Sequence, residues 1–172
     1  MPETPEFSRP FSLARLGAGR ETQSLSASDA ECAAVAERLG LVSLRSLSAE
    51  VTVTANPTAG VVDVGGALQA RFTRLCVVTL KPFEQTLQEP LAQRYSLDSA
   101  SGDVPVEIHP DAPDPLPDEG LDLGEEVVQH LSLVLDPYPR APGAELPDSA
   151  SDESANPFAD LAVLRKGTKT PK

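Results

Sequence analysis

Tryptophan is absent from this chain of 172 residues, and the other aromatic residues are few, with five Phe and two Tyr. A buried core therefore has to be built mainly from Leu, Val and Ala. Long apolar runs are missing too: no stretch of about 18 apolar residues occurs, which predicts that no helix spans a membrane. The first residues carry acids and prolines, so a signal peptide is not expected and the chain is predicted to be cytoplasmic.

Basic residues are scarce, and one long interval contains none. The chain has 14 Lys+Arg against 26 Asp+Glu, which gives a net charge of −12. Phosphate backbones repel such a chain, because nucleic-acid affinity comes largely from cations that displace counterions. Between Arg94 and Arg140 there is no Lys or Arg and there are 11 acidic residues. This interval is either an acidic face that meets a basic partner or mimics nucleic acid, or a solvated loop that aids solubility.

Groups that commonly carry chemistry are few and lack a motif. His109 and His130 are the two histidines, and neither has a context that marks a nucleophile or a metal ligand. Cys32 and Cys76 are expected to be free thiols in a cytosolic protein. A zinc site would need a second thiol three residues after Cys76, but that residue is Thr79. We therefore expect no enzyme, no cofactor and no metal, with a Ser/His/Asp set assembled in space as the open alternative.

Three segments have the start signals and periodicity of helices. Residues 28–31 form a capping box before an apolar stripe that ends at Gly40. Residues 122–125 repeat the cap pattern before a second stripe, and Pro137 ends it. Asn156-Pro157 is a favourable helix start before a third, shorter apolar face.

Alternation of apolar and polar residues predicts strands. It occurs at 7–16 (less regularly), 47–53, 62–72, 83–97 and 104–108, and an apolar run at 75–80 continues the third of these. Gly65-Gly66 indicates a bulge or sharp bend, residues 56–60 a turn, and Pro90 an edge strand or bulge. We predict an α+β fold with a curled, mainly antiparallel meander, which could extend to a partly closed barrel, and two to three helices.

The domain organisation follows from the same pattern. Residues 1–137 are predicted to form one α+β domain. Residues 138–155 lack periodicity and are predicted to be a flexible, acidic, Pro-rich linker. Residues 156–172 are predicted to be a short C-terminal helix with a basic tail.

The central strands carry the cations Arg71, Arg74, Lys81 and Arg94. Clustered on one face of the sheet, they could contact phosphates; the alternative is ordinary exposed cations spaced along strands. Arg71 alternates with Phe72, so it should point away from the core. No aromatic residues interleave with these cations, so a base-stacking platform is not indicated.

Three motifs carry a resemblance to a known family. VGG at 64–66 leads to LCVVTLKPF at 75–83, LDLGEEVVQ lies at 121–129, and NPFADL lies at 156–161. Their order and spacing resemble the YceD (DUF177) family in its alphaproteobacterial form, over residues 7–165. The resemblance implies a role in accumulation of 23S ribosomal RNA and in assembly of the large ribosomal subunit. Many relatives have C-x-x-C where this chain has Cys76-Val77-Val78-Thr79, and this departure argues against a metal here.

The residues and the resemblance together define candidate sites. The candidate contacts with a partner or with RNA are Arg71, Arg74, Lys81, Gly124, Glu125, Asn156, Pro157 and Phe158. The family-motif residues with an expected structural role are Gly65, Cys76, Pro82 and Phe83. The leading hypothesis is a non-enzymatic ribosome-assembly factor that binds a ribosomal protein, a precursor of the large-subunit RNA, or both. The alternatives are a direct RNA-binding protein and an enzyme that acts on ribosomal RNA; neither a membrane nor a small-molecule substrate is expected.

Overall fold

The computed structural model of the chain describes residues 5–16, 19–97, 112–117 and 120–145. The strands are β1 Pro10–Phe11, β2 Arg20–Ser26, β3 Ser43–Asn56, β4 Val61–Leu75, β5 Pro82–Ser96, β6 Asp114–Pro115 and β7 Leu121–Asp122. The helices are α1 Leu13–Leu16, α2 Asp29–Arg38 and α3 Leu123–Val134. No helix in the described ranges is long and apolar enough to cross a membrane.

Three long antiparallel strands, β3, β4 and β5, form the centre of a five-stranded sheet. Strand β2 pairs antiparallel with β3 at one side, and the short β6 pairs parallel with the end of β5 at the other. The order β2-β3-β4-β5-β6 leaves the sheet open. The α+β class and the mainly antiparallel sheet are therefore confirmed, whereas the partly closed barrel is not supported.

Strand alternation places one face of the sheet in the core. Along β4, residues 62, 64, 68, 70 and 72 are buried, whereas the residues between them are exposed or half-buried. The buried face joins one apolar cluster with residues of α2, α3 and the N-terminal segment. Helices on one face of an antiparallel sheet, with the other face in solvent, are typical of an α+β domain.

The two longer helices begin where the sequence predicts. Ser28 caps α2 with a complete capping box, in which the Glu31 side chain reaches back to the Ser28 N–H. Gly40 follows α2 with a φ of 63°, a left-handed conformation that glycine adopts at little cost. Asp122 caps α3 and accepts from the amides of Gly124 and Glu125. Both start predictions are confirmed.

The turn and the edge strand predicted from proline and glycine are also present. Residues 56–60 connect β3 to β4, and the Ala59 N–H donates to the side chain of Asn56. In β5, which contains Pro90, only Tyr95 and Ser96 pair with β6 on the side away from β4. Most of β5 is thus a sheet edge, where a residue without an N–H removes no ladder hydrogen bond.

Two strand predictions are wrong. Residues 7–16 contain only the two-residue β1 followed by α1. Phe7 and Phe11, which are buried there, are spaced by four rather than two residues. Residues 76–80 do not continue β4: they form a turn in which the Leu80 N–H donates to the Cys76 carbonyl. The apolar run was misleading because the chain has to reverse here to enter β5.

The paired glycines of β4 mark close strand packing rather than a bulge. The register between β3 and β4 runs through Gly65 and Gly66 without a shift, and the irregularity lies instead between Leu44 and Ser46. A Cβ atom on Gly66 would lie 2.0 Å from the Glu50 carbonyl oxygen, whereas one on Gly65 would have only ordinary contacts. The close approach of β3 therefore requires glycine at position 66, whereas a Cβ atom on Gly65, the family-motif residue with an expected structural role, would make only an ordinary contact.

Several predictions fall outside the described residues. These are the strand at 104–108, His109, the third helix with Asn156, Pro157 and Phe158, and most of the linker. The first part of the predicted linker, residues 138–145, is described and lies against the β4–β5 turn. The Val77 N–H donates to the Pro139 carbonyl over 2.9 Å.

Candidate interaction surfaces

The LDLGEE motif joins α3 to the N-terminal segment. The Asp122 carboxylate accepts from the Arg9 amide at 2.7 Å and from the Ser8 hydroxyl, in addition to the two amides of its own helix. Burial raises the pKa of Asp122, but these hydrogen bonds outweigh it and hold the pKa below its ordinary value. Asp122 thus caps α3 and also holds the N-terminal segment against the start of that helix.

Gly124 and Glu125, two candidate contact residues, have roles inside the fold. A Cβ atom on Gly124 would lie 2.1 Å from the Phe7 carbonyl oxygen, so the N-terminal segment can cross the helix only at a glycine. Glu125 binds the Arg38 guanidinium through both oxygens, at 2.7 and 2.8 Å, and Arg38 also binds Glu6. These contacts give the motif a packing role and occupy Glu125 within the chain.

Three of the cations on the outer face of the sheet are ion-paired. Arg45 and Arg71 share the Glu84 carboxylate at 3.1 and 3.5 Å, and Arg94 binds Asp63 at 2.5 Å. Each of these guanidiniums would have to give up an ion pair within the chain in order to bind a phosphate. These ion pairs reduce the positive charge that the three guanidiniums offer to a phosphate, and the salt-dependent part of RNA affinity depends on such charge.

Arg74 does not share a face with Arg71, contrary to the predicted cluster. It has the parity of the buried Phe72, and it pairs with Phe83 across β5. Its Nη1 atom is buried and has no hydrogen-bond partner among the described residues. Burial lowers the pKa of this guanidinium, and the nearby Asp136 only partly opposes that shift. Lys81 is exposed in the turn before β5.

Cys76 is fully buried at the β4–β5 turn and is a free thiol. Hydrogen bonds from the Ala141 backbone and the Thr79 side chain, helped by further amides, lower its pKa to about 6 in spite of burial. Pro82 is exposed at the start of β5 and Phe83 is half-buried. Nowhere in the described ranges do three or more His, Cys, Asp or Glu lie together as metal ligands would.

An acid-lined cavity lies between β5 and α3. Its volume is about 370 Å³, and it is lined by Leu91, Gln93, Tyr95, Asp114, Pro117, Glu126, Gln129, His130 and Leu133. The Tyr95 hydroxyl donates to the Glu126 carboxylate. Burial raises the pKa of Glu126, and the neighbouring carboxylates Glu125 and Asp114 raise it further. Among the lining residues named here none is Lys or Arg, so the negative charge is not matched locally.

Sequence reasoning missed the pairing of Tyr95 with Glu126, although the pattern of each element indicated where each residue lies. Tyr95 shares the parity of Leu91, which indicated the inner face of β5. Glu126 directly precedes the buried Val127, so it borders the apolar stripe of α3. The two positions are 31 residues apart, and only the packing of helix on sheet shows that they meet.

Comparisons of the chain with protein-family models, with curated proteins and with solved structures found no match.

Proposed function

We propose that this chain is a non-enzymatic binding protein of the YceD (DUF177) type, which supports accumulation of 23S ribosomal RNA by holding a basic ribosomal protein. The choice of a basic protein as partner rests on a difference in charge pairing between the outer face of the sheet and the cavity between β5 and α3. The cations Arg45, Arg71 and Arg94 are each ion-paired, the first two with the shared Glu84 and the third with Asp63. The cavity that contains Asp114 and Glu126 has no Lys or Arg among its described lining residues.

A basic side chain fits such a cavity for simple electrostatic reasons. Two carboxylates that share a half-buried site destabilise each other, and a cation placed between them relieves that repulsion. Complementary charge also speeds association and favours correct partners over incorrect ones. Leu91, Pro117 and Leu133 supply apolar walls along which the stem of a Lys or Arg can pack.

The test is affinity purification of the tagged chain from growing cells of the bacterium that encodes it. Ribosomal proteins are expected in the recovered fraction, and their recovery should survive ribonuclease treatment. The double variant Asp114→Asn, Glu126→Gln should lose most of this material. Glu50→Gln, which removes a charge from the outer face of the sheet, is the matched control and should retain it.

The alternatives make different predictions in the same experiment. A protein that acts by direct RNA binding would lose its partners after ribonuclease treatment and after Arg71→Glu. An enzyme that depends on histidine would lose function in His130→Ala while the fold persists. Recovery of no ribosomal protein from wild-type cells would contradict the proposal.

A further inference from the structure

The described chain exposes apolar side chains mainly at one end of its sheet. Five of the seven large apolar residues that are exposed lie there: Val42, Leu75, Val77, Leu80 and Tyr138, which we name the hairpin patch. Two of them, Leu80 and Tyr138, are 74% and 71% exposed. Contiguous exposed apolar surface is a common mark of an interaction site.

Backbone hydrogen bonds place the chain segments that carry the hairpin patch next to one another. The Val42 N–H donates to Thr73 near the end of β4, which leads into Leu75. The Val77 N–H donates to Pro139, which follows Tyr138. Leu80 has a φ of 55°, a conformation that is costly for a residue other than glycine, and it still presents its apolar side chain to solvent.

The inner face of the sheet is incompletely covered next to the hairpin patch. Helix α3 packs over the second half of β5, where Leu91 and Tyr95 are buried. In the first half of β5, Phe83 and Leu87 face the same way and are only half-buried. In the described structure the buried atoms Arg74 Nη1 and Gln85 Oε1, which lie on this part of the face, have no hydrogen-bond partner. Such orphaned polar atoms are uncommon in folded proteins.

We propose that the hairpin patch is the docking site of this chain's own residues 156–164. The described chain ends at Glu145, only four residues after Ala141, whose backbone bonds to the Cys76 thiol. At roughly 3.3 Å per residue, the 11 residues from Glu145 to Asn156 are ample to reach any point of the patch.

The composition of the segment complements the surface. Its apolar residues are Phe158, Leu161, Ala162, Val163 and Leu164. Residues 146–164 contain four acids and no Lys or Arg, whereas this end of the sheet carries Lys81, Arg140 and the partly desolvated Arg74. A covalently attached segment also binds at a high effective concentration, so a modest apolar contact is sufficient.

The absence of tryptophan provides the test, because one introduced Trp is then a unique reporter. Leu80→Trp places it on the hairpin patch, and Leu133→Trp, at an 82% exposed site on α3, is the matched control. Both are made in the full chain. Emission from Leu80→Trp should be blue-shifted, and acrylamide should quench it severalfold less than Leu133→Trp.

The second arm disrupts the segment rather than the surface. Phe158→Asp with Leu161→Asp should raise the quenching of Leu80→Trp to the level of Leu133→Trp, and it should leave Leu133→Trp unchanged. Val42→Trp is the substitute reporter if circular dichroism shows that Leu80→Trp is unfolded. Equal quenching of the two reporters, or no response to the double substitution, would overturn the proposal. Protection of Leu80→Trp from acrylamide that increases with protein concentration would also overturn the proposal, because it would show that a second copy of the chain covers the patch.

Discussion

Gly65 and Gly66 are neighbours in β4, but alanine should have opposite effects at the two positions. A Cβ atom on Gly65 would lie 3.8 Å from its nearest neighbour, the Leu91 carbonyl oxygen, which is an ordinary contact. A Cβ atom on Gly66 would lie 2.0 Å from the Glu50 oxygen and 3.1 Å from the Val51 Cα. The atoms in the way belong to the backbone of β3, so no rotation of a side chain can relieve the clash.

The magnitude follows from three contributions. Replacing glycine by alanine stabilises a compatible site by about 0.4–1 kcal/mol, through the unfolded chain. This is the whole effect expected for Gly65→Ala. For Gly66→Ala, overpacking costs about 1–3 kcal/mol, and moving β3 weakens ladder hydrogen bonds worth about 1 kcal/mol each. The net expectation for Gly66→Ala is a loss of about 2 kcal/mol, so the variants should differ by roughly 2–3 kcal/mol.

Urea denaturation followed by far-UV circular dichroism measures this difference directly. With a slope of about 1–3 kcal/mol per M, the midpoints of the two variants should be separated by roughly 1 M or more. The slope itself should stay constant, since neither substitution changes the surface exposed on unfolding by much. Equal midpoints for the two variants would refute the assignment of Gly66 to a close strand approach.

Three further perturbations test other parts of the structure. Ser28→Ala removes the cap of α2 and should lower the free energy of unfolding by about 1 kcal/mol, as measured by urea denaturation; an unchanged midpoint would argue against the capping box. Tyr95→Phe leaves the half-buried Glu126 carboxylate without its donor and should cost about 1–3 kcal/mol at neutral pH, again in urea; a neutral result would mean that water replaces the hydroxyl. The pKa of the Cys76 thiol, about 6, lies below its unfolded value of 9.0, so its thiolate stabilises the fold at high pH and that contribution is lost as pH falls through 6. The stability difference between the wild type and Cys76→Ser should therefore grow as pH rises between these two values, and a difference independent of pH would contradict the lowered pKa.

The elements that sequence reasoning predicted correctly are those with local signals. The capping box at Ser28, the cap at Asp122 and the left-handed Gly40 depend on residues within one helical turn of each other. The alternation in β3 and β4 reports a single buried face, which is also a local property. Such patterns can therefore be recognised in the sequence without knowledge of the rest of the fold.

The elements that it missed depend on distant partners. The apolar run after Leu75 has the composition of a strand, and only the need to pair β5 with β4 makes it a turn. Phe7 and Phe11 are buried because the N-terminal segment lies against α3, which alternation within 7–16 could not indicate. The alternation along β4 does place Arg74 on the same face as Phe72. The prediction of a basic cluster with Arg71 did not take this alternation into account.

The candidate contacts divide in the same way. Gly124 and Glu125 were selected for a motif, and they are explained by the approach of Phe7 and the ion pair with Arg38. Neither contact has a signature within the motif itself, because both partners lie more than 80 residues away. A motif that resembles a recognition site can therefore have a packing role, and charge pairing has to be known before a surface is assigned.

The fastening of the N-terminal segment to α3 has a consequence for folding during synthesis. The bonds from Ser8 and Arg9 to Asp122 join residues 114 and 113 positions apart. The β3–β5 meander pairs neighbouring strands and can form while translation continues, but the contacts of the N-terminal segment with α3 can form only after α3 has left the exit tunnel. Complete burial of Phe7 and Phe11, which needs α3, is thus among the last steps of folding.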